Sequence, residues 1–205
     1  GNLPVSISFD SFTGVVAAGD GSVTVPFTAL DANGNKLTAQ DIADAAAATP
    51  SKFNFTASGS TGYTVIQTGS DKGKVKFTLD TALKAGNTLY ISGQVNQSTT
   101  NTYVTTTIPV QEARYPDHVA VVTEPTAKAI LGANSDVRFI VRDQYNSDYS
   151  GTGLAIAGTN GQSSDYQVKV SVTADAGITL QTKVVSPAVT APVADGSVYS
   201  GAGSA

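Results

Sequence analysis

A chain of 205 residues, 40% hydrophobic and 14% charged, holds one large domain or two of roughly 100 residues each. A net charge of −4 and a pI of about 4.7 argue against a nucleic-acid partner, and the lack of Cys removes thiol chemistry and cysteine-ligated zinc. Aromatic residues make up only 7%, and the Thr, Ser, Ala, Val and Gly that replace them suit strands and short turns better than long helices. No apolar run approaches the ~18 residues of a membrane span, so no membrane insertion is expected. Gly1-Asn2-Leu3-Pro4 lacks the charged and apolar regions of a signal peptide. With Ser200-Gly201-Ala202-Gly203-Ser204-Ala205 at the other end, both termini read as cut points in a longer protein.

Val5, Ile7 and Phe9 alternate as a first strand, and Gly14 and Gly19-Asp20-Gly21 bracket Val15-Val16 as a short second one. Val23, Val25, Phe27 and Ala29 repeat the period-two pattern of a strand with one buried face. Pro26, which lacks an N–H, suits a strand edge. The strand runs into Asp31-Ala32-Asn33-Gly34-Asn35, where Asn and Gly tolerate the left-handed backbone of a tight turn. Thr38 to Thr49 predicts a helix of at most about three turns, capped by Thr38 and stopped by Pro50. Asp41 and Asp44 in it read as charge set against the helix dipole.

Phe53 and Phe55 alternate again, and Tyr63–Gln67 with Lys74–Leu79 reads as a hairpin across Gly69-Ser70-Asp71-Lys72-Gly73. Lys72, Lys74 and Lys76 alternate as a solvated strand face. Leu89–Val95 and Tyr103–Val110 close a first unit, and turn signals between strands at this spacing predict a β-sandwich. Gln111 to Pro116 is a short linker without a Gly/Ser run, which predicts limited hinge freedom. The second unit reads as strands at Val119–Val122, Ala129–Leu131, Val137–Arg142, Leu154–Ile156 and Tyr166–Val172. Val168 and Val170 stand as counterparts of Phe53 and Phe55. Beyond Val185 the Pro, Ala, Gly and Ser text predicts no strand pair to match Lys74–Leu79 and Leu89–Val95.

The chain is written twice. Val25, Phe27, Ala29 and Asp31 match Val137, Phe139, Val141 and Asp143 at one offset of 112 residues. Pro4 and Pro116, Ile7 and Val119, and Phe9 and Val121 keep it, whereas Thr13, Gly19 and Ser22 match Thr126, Gly132 and Ser135 one residue later. Gly34 has no glycine counterpart at Asn146. The expected division is residues 1–112 and 113–205, the second unit being truncated or divergent at its end.

Chemistry-bearing residues are few. The single His, His118, precedes a strand and reads as a partly exposed edge residue. No Ser sits in a Gly-x-Ser-x-Gly elbow, no Walker lysine motif occurs, and the two Glu, Glu112 and Glu124, flank the linker. No enzyme is expected. Calcium is the ligand with candidates: Asp31, Asn33 and Asn35 alternate like the opening of an oxygen-rich loop, and Asp143, Asn146 and Asp148 form a looser set. The competing reading makes Asp31 and Asp143 turn formers that bond their own backbone. Asn54-Phe55-Thr56 and Asn96-Gln97-Ser98 fit the glycosylation pattern, a frequent one.

The runs Val23 to Asn35 and Val137 to Asn146 resemble bacterial Ig-like domains, above all the tandem repeats of surface-layer proteins from Bacillus-related bacteria. The resemblance implies an all-β chain of two tandem Ig-like β-sandwiches, the first with one short helix. It implies an extracellular, cell-surface structural role, in which rigid tiles contact neighbouring copies in a two-dimensional lattice assembled with calcium. Attachment to a cell-wall polymer would come through domains outside this chain. The alternative is an adhesin or carbohydrate-binding accessory module, which predicts a row of exposed aromatics with Tyr145, Tyr149 and Tyr166 as candidates.

Overall fold

The computed structural model describes residues 2–97, 103–123, 134–150, 154–156, 166–168, 180–185 and 195–202. The chain is mostly β-strand with one short helix among the described residues, and it divides into two units, Gly1–Ala113 and Arg114–Ala205.

The first unit contains β1 (Ser6–Phe9), β2 (Val16–Ala17), β3 (Ser22–Val25), β4 (Phe27–Leu30), α1 (Ala39–Ala47), β5 (Phe53–Ala57), β6 (Ser60–Val65), β7 (Val75–Leu79), β8 (Thr88–Val95) and β9 (Val104–Gln111). Alternation at Val23, Val25, Phe27 and Ala29 holds on both sides of Pro26, and all four side chains are buried. The expected single strand nevertheless changes partner at that proline. β3 pairs with β7, which carries β6 on its other edge, while β4 pairs with β1. With no N–H to give to a ladder, Pro26 stands where one ladder stops and the next begins. A further sheet has the order β2–β9–β8–β5, with β2 and β9 parallel and the other pairs antiparallel.

The inward side chains of these strands form one core. Phe55 is its aromatic hub, with ring centroids 5.0 Å from Phe27, 5.5 Å from Tyr63, 6.1 Å from Phe9 and 6.4 Å from Phe77. Tilted and edge-on pairs of this kind add stability beyond the area they bury. Gly93 on β8 lets the strand close on this hub. A Cβ there would lie 2.8 Å from the Phe55 ring and 3.0 Å from Ile7 Cδ1. Helix α1 begins as expected, Thr38 Oγ1 accepting the Asp41 N–H at 3.1 Å, and turns Ile42, Ala43 and Ala45 inward.

Lys72 and Lys74 precede β7 instead of lying along it. Lys74 pairs with Asp71 at 2.7 Å and Lys72 bonds Gln40 of α1, so the turn, not a strand face, holds them.

The second unit contains β10 (Pro116–Thr123), β11 (Asn134–Asp143), β12 (Leu154–Ile156), β13 (Tyr166–Val168), β14 (Leu180–Val185) and β15 (Asp195–Ala202). β12 and β13 pair in parallel, and the other four form a sheet of order β10–β11–β15–β14. β15 forms in text where no strand was expected. Its Gly, Ser and Ala have little intrinsic strand preference, and its ladders to β11 on one side and β14 on the other supply what composition does not. The order β11–β15–β14 matches β3–β7–β6 of the first unit. The expected strand at Ala129–Leu131 and the position of Val170 lie outside the described residues, as do Thr126 and Gly132.

Candidate functional site

The residues singled out for function gather at the two aspartate turns. In the first, the Asp31 N–H donates to Asn35 O at 2.9 Å, the Gly34 N–H to Asp31 O at 3.0 Å and the Leu37 N–H to Ala29 O at 2.9 Å. Asp31 Oδ1 accepts the N–H groups of Asn33 and Asn35, both at 2.9 Å. An aspartate does this because its short carboxylate reaches amides two and four residues ahead, groups the turn leaves without strand partners.

In the second turn the Asp143 N–H donates to Ser147 O at 2.8 Å, the Asn146 N–H to Asp143 O at 3.0 Å and the Tyr149 N–H to Val141 O at 2.9 Å. Asp143 Oδ1 accepts the N–H groups of Tyr145 at 2.9 Å and Ser147 at 3.0 Å. Every one of these bonds is its counterpart displaced by 112 residues. Gly34 has φ +80° and Asn146 φ +63°, so Asn takes the left-handed position where the first turn uses Gly. Leu37 and Tyr149 are both buried beneath their turns. The entering strands agree as well. Ser6↔Leu30, Ile7↔Ala29 and Phe9↔Phe27 become His118↔Arg142, Val119↔Val141 and Val121↔Phe139.

The turns differ in their electrostatics. Asp31 is partly exposed, whereas Asp143 has 0% exposure. Arg114 reaches Asp143 Oδ2 through Nη1 at 2.9 Å, and its guanidinium carbon lies 5.4 Å from the Tyr145 ring centroid. The Tyr115 N–H donates to Gln144 Oε1 at 3.0 Å. Burial pushes the Asp143 carboxyl up. The Arg114 hydrogen bond, the Ser147 and Tyr145 amides and the guanidinium charge outweigh it, and the pKa falls below its ordinary value of 3.8. His118 joins the same turn, its Nδ1 2.9 Å from Asp117 Oδ2 and its Nε2 3.1 Å from Asn146 Oδ1.

As a calcium site the second turn does not fit. Both Asp143 oxygens already accept hydrogen bonds, one of them from a cation that supplies the balancing charge. Asp148 is exposed, bridged through its backbone to Arg142. In the first turn Asp31 Oδ1 is shared by two amides, while Asn33 and Asn35 are exposed.

Among the described side chains the aromatic candidates form no exposed row. Tyr149 is buried and Tyr145 lies under Arg114; the side chain of Tyr166 lies outside the described ones. A different exposed aromatic is Tyr90 on β8, at 64% exposure. Around it the outer face of the β9–β8–β5 sheet presents Asn54, Thr56, Ser92, Thr105 and Thr107, all uncharged. Alternation with the buried Leu89 and Ile91 marks Tyr90 as outward-facing in the sequence. Arg114 carried no such signal, because its partner is 29 residues away. No protein-family model matches the chain, and no curated protein matches it.

Proposed function

We propose that the chain is a non-catalytic structural fragment of a bacterial surface-layer protein. Its two units act as Ig-like tiles in an extracellular two-dimensional lattice of neighbouring copies. The observation that carries this reading is the aspartate turn built twice, 112 residues apart, with the same hydrogen bonds and the same entering register. Modules repeated in series present repeated surfaces, and a heterologous contact that does not close generates an open array. An Ig-like reading of the first unit is supported by β1–β4, β3–β7–β6 and β2–β9–β8–β5 all turning side chains into one core. Calcium would act at lattice contacts away from Asp143, and the cell-wall polymer would be held by domains outside this chain.

A second reading, a carbohydrate-binding or adhesin module, is favoured by the uncharged hydroxyl face around Tyr90. The test is electron microscopy of the full parent protein dialysed with and without calcium. Ordered sheets are expected, and sheets that form only with calcium assign it to the contacts. Monodisperse particles in both conditions would overturn the lattice. Glycan binding by those particles, lost in a Tyr90→Ala variant, would select the second reading.

A further inference from the structure

β2 covers β9 only at its end. Val16 and Ala17 pair with Val110 and Gln111, and among the described residues no strand pairs with that edge of β9 nearer its start. Successive residues of a strand turn their N–H and C=O groups to opposite edges. The Val110 N–H donates to Asn87 O at 2.8 Å, on the β8 side, and Gln111 O accepts the Ala18 N–H at 2.9 Å on the other. Counting back in twos from Gln111 passes Pro109, which has no N–H, and reaches Thr107 and Thr105. Their backbone groups point to the edge that β2 leaves open.

A cleft of about 470 Å³ opens along this edge, a volume within the range of ligand sites. Thr107 and Pro109 line it on the β9 side, and Phe9 and Phe12, both packed against the core, line it below. Across from β9 stand residues of the 10–15 segment, where a Cβ on Gly14 would lie 2.9 Å from Phe12 Cζ. Asp10 is the one charged residue among the described residues of the lining. It is exposed yet held in place, its N–H donating to Pro26 O at 3.1 Å and its Oδ1 accepting the Thr28 hydroxyl at 2.7 Å. Open backbone groups at strand spacing, an aromatic floor and a fixed carboxylate match an extended peptide. Main-chain bonds give such a ligand its affinity, and alternate side chains its specificity.

We propose that this cleft binds an extended segment of a separate polypeptide, which adds to β9 as a strand beside Thr105 and Thr107. The segment sets an apolar side chain on Phe9 and Phe12 and a Lys or Arg beside Asp10. A folded second copy of this chain offers the edge of a sheet instead. With residues of the 10–15 segment standing across from β9, one strand fits between them and a sheet does not. The proposal rests on strand registers and on the cleft within the first unit, and does not depend on the lattice.

Amide hydrogen exchange of the full chain, read residue by residue by NMR, tests this with the end-blocked peptide Thr-Val-Lys-Val-Thr-Val as the probe. Without peptide the Thr107 amide is expected to exchange at least about tenfold faster than those of Thr106 and Ile108, which face β8. Saturating peptide should slow Thr107 at least about tenfold, and a copy N-methylated at every residue, which cannot pair, should not. Asp10→Asn is expected to weaken the lysine peptide by about two- to fivefold and to leave a peptide with Val in place of Lys unchanged. Thr107→Pro removes the N–H at an edge position that tolerates proline and should abolish binding, whereas Thr107→Val keeps both the N–H and the binding. A Thr107 amide already as slow as its neighbours would mean that the edge is covered within the chain. Protection that grows with protein concentration alone would mean that a second copy covers it. Either result would overturn the proposal, as would no slowing with the peptide, equal slowing with its N-methylated copy, or binding that survives Thr107→Pro. An Asp10→Asn variant that treats the two peptides alike would overturn it as well.

Discussion

Asp31 and Asp143 close the same turn in different settings, and the difference sets their energetic weight. Replacing Asp143 with Asn keeps an oxygen for the Tyr145 and Ser147 amides but strips Arg114 of its counter-charge. The Arg114 side chain is 24% exposed, so the cost falls below that of a fully buried pair, at about 2–3 kcal/mol. Asp31→Asn loses no cation partner of this kind and is expected to cost about 1 kcal/mol or less. Urea unfolding of the two variants measures both. The Asp143 carboxyl titrates lower in the folded chain than in the unfolded one. Its stabilisation is therefore complete above the ordinary value of 3.8 and lost as pH falls through the lower folded value. Urea midpoints taken from about pH 5 to about pH 2 should fall for the parent chain and respond less in Asp143→Asn. The turns were legible in the sequence because an aspartate bonding its own backbone is a local event. The equivalence of Asn146 to Gly34 was not, since identity hides a shared backbone angle. Arg114 was read as linker, because nothing local announces a partner across the strand ladder.

At the scale of elements, alternation placed the strands of the first unit closely, and the Thr38 cap and Pro50 stop placed α1. What alternation cannot report is partner choice. The run from Val23 to Ala29 keeps one buried face while serving two ladders. β15 reverses the lesson, a strand made by its neighbours from residues of poor propensity. Gly93 falls between these cases. It breaks the apolar pattern of β8, and the reason is the Phe55 ring and Ile7 beneath it. Gly93→Ala puts a methyl group into that contact, and a packed core answers overfilling with a cost of about 1–3 kcal/mol. Thermal unfolding is the check, and the loss should be confined to the transition of the first unit.

On the scale of the whole molecule, the repeat put the boundary between residues 112 and 113, and the contacts within the structure place it between Ala113 and Arg114. Units that unfold independently give two calorimetric transitions instead of one, and two are expected here. Asp143→Asn should move one of them and Gly93→Ala the other, and a single transition shifted by both variants would contradict separate units. The expectation of two units rests on the repeat in the sequence. The sequence did not hold the exposure of Val119 and Val121 on β10, since these valines read the same whether exposed or buried. The partner change at Pro26 bears on how the first unit comes apart. Residues 22–30 belong to the β1–β4 ladder and to the β3–β7–β6 ladder at once. Peeling either ladder away pulls on the shared segment, so the two open together and their amides share one protection against hydrogen exchange.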